Sequence, residues 1–307
     1  MKIIILGGFG FVGKNLVEIL NETTSHELIP LSRRNGLDLT DLEATKRSFN
    51  EIAPDIIYNF AAHVGSIHYV TKFAADIIYD NIQMALNIYR AVKEVCPKTK
   101  IINPLSNCSY PGDANVHYEP DWWNGEVHDS VFSYGNSRRM IYVIAKNYFS
   151  QYDIESQNFL VPNTFGVGDY ADPNKTHALN GMIIRMIKAK RDNDKTFEIW
   201  GTGKPIREWG YIKDVVNILA KALDLNRNLI YPVNIAQNKG YSIKESAELI
   251  AEALNFKGEL VFDDKYQDGA PIKVLDDRKF RNIFPNYEFY DHKKGIEETV
   301  KYYESIL

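Results

Sequence analysis

Three of the four glycines in the first thirteen residues constrain this chain more than any other feature. Lys2 to Leu6 is an apolar run of strand length, and Gly7, Gly10 and Gly13 follow it as G-x-x-G-x-x-G. The last of them falls inside a stretch with helical periodicity, Val12 to Leu20. A strand that turns tightly into a helix presents the helix N-terminus, with its outward N–H groups and positive dipole end, to whatever lies beyond the turn. Glycine suits the tight turn and lets a pyrophosphate approach the backbone. A merely flexible turn would also use glycine. The position, directly after a first strand and at the start of a helix, favours a dinucleotide site.

The first half of the chain continues to alternate. Glu27 to Leu31, Asp55 to Phe60, Lys100 to Leu105 and Glu155 to Val161 read as strands. Phe73 to Val95 and Phe132 to Tyr152 read as helices. This order implies an α/β fold with a Rossmann-type doubly wound parallel sheet. Residues 1–164 are expected to form the dinucleotide-binding domain. Beyond Pro162 the alternation loosens. Glycines, prolines and aromatics cluster at Gly166 to Pro173 and at Trp200 to Pro205, and helical patterns resume at Ile183 to Lys190, Val215 to Leu225 and Ser242 to Leu254. Residues 165–307 are therefore expected to form a smaller, mainly substrate-binding lobe, with segments at about 195–235 returning to the first domain.

Composition narrows the partners. Hydrophobic residues make up 45% and charged residues 25%, enough for a substantial core. A net charge of -4 gives no basic surface for nucleic acid, so no nucleic-acid partner is expected. Two cysteines, Cys96 and Cys108, make no disulfide framework and fit a reducing compartment. No run approaches the roughly 20 apolar residues of a membrane span. The glycines cut the first apolar run too short for a signal peptide. The expectation is a cytoplasmic protein with no membrane partner. The seven histidines show no H-E-x-x-H pattern and there is no C-x-x-C, so no metal site is expected.

The choice of dinucleotide stays open on residue chemistry. NAD sites usually carry Asp or Glu at the end of the second strand. Here that position reads Leu31-Ser32-Arg33-Arg34. Two arginines suit a 2′-phosphate and lean toward NADP. If they are solvated loop charges, Ser32 is left to meet the ribose hydroxyl of NAD.

A second constellation carries the chemistry. Asn59-Phe60-Ala61-Ala62 ends one strand, Ser106 ends another, and Tyr134 opens a helix with Arg138 four residues on. Residues four apart share a helix face, so Tyr134 and Arg138 point to one place. Free tyrosine titrates near 10 and needs a neighbouring cation to act as a base at neutral pH.

These residues resemble the extended short-chain dehydrogenases/reductases of the NAD-dependent epimerase/dehydratase family. Further stretches resemble GDP-fucose synthases and their GDP-sugar relatives in order along nearly the whole chain. They are Ala61 to His68, Ser106 to Pro111, Pro162 to Gly166, Thr176-His177, Trp200 to Gly203, Arg207-Glu208 and Asp268 to Lys273. The resemblance implies Tyr134 as base, Ser106 polarising the substrate oxygen and Arg138 in the place of the family lysine. Arginine keeps the charge but is bulkier and forked. Cofactor contacts are implied for Gly7, Gly10, Phe11, Val12, Gly13, Ser32, Arg33, Asp38, Leu39, Phe60, Ala61 and Ala62, besides Tyr134 and Arg138. Substrate contacts are implied for His63, Asn163, His177, Trp200, Arg207 and Lys273. Cys108 and His177 match an acid/base pair that epimerises beside a carbonyl. Asn107-Cys108 in place of a carboxylic acid beside the serine argues against a dehydratase.

The resemblance implies an NAD(H)-dependent oxidoreductase acting at C4 of a GDP-linked manno-configured sugar, with GDP-manno-heptose preferred, in surface-polysaccharide synthesis. An NADP(H)-dependent GDP-4-keto-sugar epimerase-reductase is the alternative. A third reading takes Arg138 as the mark of a degenerate, non-catalytic cofactor-binding protein. Pairing through Phe73 to Val95 and Phe132 to Tyr152 implies a homodimer or homotetramer, which light scattering would distinguish from a monomer.

Overall fold

The run that follows Met1 is a strand, β1 (Lys2–Leu6), and Ile3, Ile4, Ile5 and Leu6 are all fully buried. A strand with no exposed face belongs in the middle of a parallel sheet. The computed structural model describes residues 1–172, 175–266 and 268–307. Pro173, the last residue of the glycine- and aromatic-rich segment singled out above, lies outside them.

The chain continues through α1 (Phe11–Thr23), β2 (Glu27–Leu31), α2 (Leu42–Ile52), β3 (Ile56–Asn59), α3 (Ile67–Lys72), α4 (Ala74–Val95) and β4 (Lys100–Ser106). Next come α5 (Phe132–Tyr152), β5 (Ser156–Val161), β6 (Asn163–Phe165), α6 (Ala178–Arg191), β7 (Thr196–Trp200), β8 (Ile206–Arg207) and β9 (Trp209–Tyr211). The remainder is α7 (Ile212–Lys221), β10 (Leu229–Asn234), β11 (Tyr241–Ser242), α8 (Ile243–Leu254), β12 (Glu259–Asp263), β13 (Ile272–Lys273), α9 (Arg278–Ile283) and α10 (His292–Ile306).

The residues fall into two compact units. The first comprises Met1–Ser109, Val131–Val161 and Val216–Val233. Its sheet runs β10-β5-β4-β3-β1-β2. Ile4 stands opposite Ile29 on one side and Ile57 on the other, both parallel. β4 is likewise parallel to β3 and β5. This is the doubly wound α/β sheet the alternation implied. Each flanking helix buries one stripe, in α4 through Ile77, Asn81, Ala85 and Ile88.

Asparagines cross the interior of this sheet. Asn59 on β3 donates from Nδ2 to Asn103 Oδ1 (3.1 Å), and Asn103 on β4 donates to Asn158 Oδ1 (2.9 Å) and to Tyr89 Oη (2.8 Å). Asn158 on β5 passes the chain on to the Ile230 carbonyl (2.8 Å) of β10. All three amides are buried. A buried amide is tolerated because it is bonded.

The second unit comprises Tyr110–Ser130, Pro162–Val215 and Asn234–Leu307. Its strands form small sheets: β7 with β12, β6 with β9, and β11-β8-β13. α8 opens on a reciprocal capping box between Ser242 and Glu245. α10 opens on Asp291, whose carboxylate accepts from Lys294 N (2.9 Å).

Where the sequence reading named an element in the first half, the bounds agree to within about two residues, which is the usual scatter of helix and strand ends, except that α1 runs on to Thr23. Later helices are displaced further. α6 begins at Ala178, well before Ile183, and α7 spans Ile212–Lys221 with a 3-10 turn at Ala222–Asp224. α2, α3, α9, α10, β10 and the strands of the second unit went unread.

Replacing Asn103 with leucine would strand the Asn59 Nδ2 donor and the Asn158 acceptor and leave the Tyr89 hydroxyl with Ser156 Oγ (2.8 Å) alone. The expected loss is about 3 kcal/mol, read as a lowered urea midpoint of the variant. An unchanged midpoint would show that the amide chain contributes nothing.

Candidate active site

The glycine turn is shaped by backbone against backbone. Gly7 has φ +73°, and a Cβ there would lie 2.8 Å from the Phe60 carbonyl oxygen. Its N–H donates to the Leu31 carbonyl (2.8 Å), so the ends of β1, β2 and β3 meet at one residue. A Cβ on Gly13 would press into the Gly7 carbonyl. α1 therefore starts immediately above the turn. Gly10 is its N-cap, no side chain caps it, and its first turn carries no acid. That helix end is built to receive an anion, and it fits the pyrophosphate of a dinucleotide. Phe11 and Leu39 are core side chains, so what they offer a ligand is backbone. Val12 is half-buried.

β2 ends in a 3-10 turn at Arg33–Asn35 that is capped by Ser32, whose hydroxyl accepts from Arg34 N (3.1 Å). Arg33 and Arg34 are exposed. Thr40 donates its backbone N–H and its hydroxyl to Asp38, which with nearby Arg33 holds that carboxyl below the usual range. Phe60, Ala61 and Ala62 follow β3 half-buried, with Phe60 stacked on Tyr58 at 5.9 Å.

Tyr134 and Arg138 share one face of α5, as their spacing required. The Arg138 guanidinium lies 4.9 Å over the Tyr134 ring. Arg138 is buried and donates from Nη2 to Asn81 Oδ1 on α4. Burial pushes the Tyr134 phenol above its usual range, Arg138 pulls it back, and Cys108 pushes it up further. Burial also lowers Arg138. Ser106 ends β4, and its Oγ accepts from Cys108 N (3.2 Å) across the turn Asn107–Ser109.

Asn81 was not singled out from the sequence. Besides taking Arg138, it accepts from His63 N (3.1 Å) and donates to the His63 carbonyl (2.8 Å). The signal was a polar residue in the apolar stripe of α4. His63 itself is engaged on both ring nitrogens, Nδ1 with Asp80 (2.8 Å) and Nε2 with Tyr69 Oη (2.9 Å). It buttresses the segment after Ala62.

The second unit holds the remaining residues. Asn163 opens β6, and its Nδ2 is buried with no acceptor. Arg207 and Lys273 stand opposite each other on β8 and β13. Both lie near buried His117, another residue the sequence reading passed over, which stacks on Tyr110 at 4.3 Å. Trp200 is half-exposed, with Tyr266 stacked on it at 5.2 Å and the Arg185 guanidinium 4.3 Å from its centre. His177 caps α6 and is held by Asp169, with Nδ1 at 3.0 Å from Oδ2. Paired cations and an unsatisfied amide donor suit a diphosphate. Among the described residues no cluster of three metal-ligating side chains occurs. No described helix is long and apolar enough to cross a membrane.

Comparison with known proteins identifies the family. The model of the NAD dependent epimerase/dehydratase family matches residues 3–236. The chain belongs to that family and is an oxidoreductase of the extended short-chain type that uses a pyridine nucleotide. A probable GDP-L-fucose synthase of Drosophila melanogaster is 29% identical over 98% of this chain and 97% of its own length. The crystal structure of a GDP-L-fucose synthetase from Naegleria fowleri bound to NADP superposes with a TM-score of 0.89 at 26% identity, over 99% of this chain and 94% of that one. A GDP-6-OMe-4-keto-L-xylo-heptose reductase from C. jejuni shares the fold, with a TM-score of 0.89 at 22% identity over 100% and 98% of the two chains.

Burial, with Lys273 and Arg207 beside it, pushes the His117 imidazole down to about 3. The folded chain then holds it neutral while the unfolded chain protonates it below about 6.5. Its contribution to stability is complete above that pH and is lost as pH falls toward 3, by at most about 1.4 kcal/mol per pH unit. His117→Phe should therefore flatten the acid limb of a melting-temperature profile between pH 6.5 and 4. A parent-like slope in the variant would refute this.

Proposed function

We propose that this family member transfers a hydride at C4 of a GDP-linked sugar, with Tyr134 as the proton acceptor or donor. The observation that carries the reading is the buried Arg138 guanidinium over the Tyr134 ring. A tyrosine used as a base needs a fixed cation, and this one is held by Asn81. The arginine thus does what the family lysine would do for the phenol, which speaks against the degenerate reading.

When bound, the pyridine nucleotide supplies or accepts the hydride. The chain does the rest. The N-terminus of α1 holds the pyrophosphate, and Phe60 to Ala62 line the bound dinucleotide. In reduction Tyr134 Oη gives its proton to the C4 oxygen, and in oxidation it takes that proton back. Ser106 accepts from Cys108 N, which turns its own O–H toward donating to the same oxygen. Asn163, Arg207 and Lys273 take the diphosphate, and Trp200 offers an aromatic surface to the nucleoside. GDP-manno-heptose is the sugar we favour from the sequence resemblance. The curated relatives support the GDP carrier.

For the dinucleotide, exposed Arg33 and Arg34 and the missing carboxylate after β2 favour NADP(H) over the NAD(H) implied by resemblance alone. The NADP carried by the Naegleria relative supports the same choice.

An epimerising variant of the reaction has its own support. His177 is held by a buried carboxylate and Cys108 sits on the turn beside Ser106. These are an acid/base pair for the carbons beside a C4 ketone, and the relatives named GDP-L-fucose synthase favour this reading.

Tyr134→Phe should lower kcat by about 10²- to 10⁴-fold with dinucleotide binding retained; full turnover would sink the mechanism. Arg138→Met removes the charge that opposes the upward shift of Tyr134. The basic phenol form then appears only at higher pH, and the pH profile of sugar oxidation should move upward. Mass spectrometry of the dinucleotide released from protein purified without added cofactor should find NADP or NADPH. Finding only NAD or NADH would overturn that choice.

A further inference from the structure

Asp169 lies in the loop between β6 and α6, and its side chain has no exposed surface. One oxygen, Oδ2, accepts from four donors: His177 N (2.8 Å), His177 Nδ1 (3.0 Å), Asn180 Nδ2 (2.9 Å) and Thr176 Oγ1 (3.1 Å). Burial alone would raise this carboxyl, but the bonds from His177 and Asn180 outweigh it and keep it below its usual range. Asp169 is therefore a buried carboxylate. Four donors are more than a helix cap requires, since one backbone N–H satisfies the cap. Two of them belong to the same histidine, one from its backbone and one from its ring.

Both bonds fix that histidine. With its backbone pinned and its ring bonded through Nδ1, the imidazole is set in one rotamer. A carboxylate accepts and does not donate, so the proton of the neutral ring sits on Nδ1 and the lone pair on Nε2. The His177 side chain still keeps 45% of its surface exposed.

We propose that Asp169 is a positioning residue: it holds His177 in the Nδ1–H tautomer and so makes Nε2 the atom that exchanges a proton with a carbon beside the C4 ketone of a GDP-sugar. This rests on the epimerising reading above. In the step, Nε2 takes a proton from that carbon, and the C–H electron pair forms the double bond of an enolate. The imidazolium that results faces the Asp169 carboxylate, which compensates its charge. The carbon then recovers a proton on its opposite face from water, and His177 gives its extra proton to the hydroxide left behind, so the sum is inversion with no redox change. Hydride transfer at C4 does not involve Asp169.

The test compares parent and Asp169→Asn in two measurements. The first is the ¹⁵N signature of His177 in histidine-labelled protein. The second is deuterium uptake from D₂O into a GDP-4-keto-sugar without hydride donor. In the parent, we expect the Nδ1–H tautomer and measurable uptake. In Asp169→Asn, we expect a mixed tautomer and uptake lowered about 10²-fold or more, while dinucleotide binding is retained. A variant that takes up deuterium at the parent rate overturns the role of Asp169 alone. A parent that reduces the 4-keto-sugar with no uptake overturns the epimerising reading and this role with it. If the variant does not fold, the parent spectrum still decides: an Nε2–H tautomer refutes the assignment.

Discussion

The first unit depends on a contact between two pieces of backbone. Gly7, with positive φ, has no room for a side chain because the Phe60 carbonyl is already there, and its N–H is taken by Leu31. The ends of three parallel strands are thereby drawn to one point, and α1 must begin directly above it. The consequences run outward. The segment Phe60 to Ala62 leaves β3 at a fixed height, His63 continues it, and Asn81 clamps His63 by two bonds. The same Asn81 oxygen receives Arg138, which lies over Tyr134. The glycine turn and Tyr134 are thus two ends of one chain of short contacts within a single unit.

Each unit also contains a buried charge that could have been an apolar residue at less cost. Arg138 is a cation held by an amide and an aromatic face. Asp169 is an anion held by four donors on one oxygen. Burying an ion without full compensation is expensive, and well-packed apolar substitutes are often more stable. Such groups are kept where a charge must stay in one position, and both stand beside a side chain proposed to move a proton. In the proposed reactions the two sites differ in sign and in the transfer they serve: a proton moved on oxygen in one, a proton removed from carbon in the other.

The fold was largely legible because its signals are local. Buried strands such as Ile3 to Leu6 are continuous apolar runs, and α4 keeps a buried stripe from Ile77 to Val92. α2 was missed although Asp41 caps it, because only Thr45 and Phe49 are buried along it and the stripe is thin. α10 carries a fuller stripe, Ile296, Thr299, Val300 and Tyr303 behind the Asp291 cap, and was open to a closer reading. The short strands of the second unit pair two or three residues each, too few for a period to show. The candidate site divides along the same line. Gly7, Tyr134 and Arg138 declare themselves by spacing. Asp169 does not, because its bond to His177 arises from a loop returning on itself, and no periodicity reports that. Asn81 lay between: a polar residue four positions from Ile77 and four from Ala85 asks what it is bonded to.

The asparagines that cross the sheet have a further consequence, for assembly of the fold. Neighbouring strands of this sheet present aliphatic side chains that would pack acceptably in several orders. Amides would not. If β5 docked against β1 in place of β4, or slid by one residue along it, Asn158 would face hydrocarbon, Asn103 would lose Asn158 and Tyr89 would lose its bond to Ser156. Parallel sheets assemble from segments distant in sequence, and wrong neighbours have ample time to meet. The row of amides then acts as a key for strand order, penalising each misplacement during folding whatever it adds to the finished sheet.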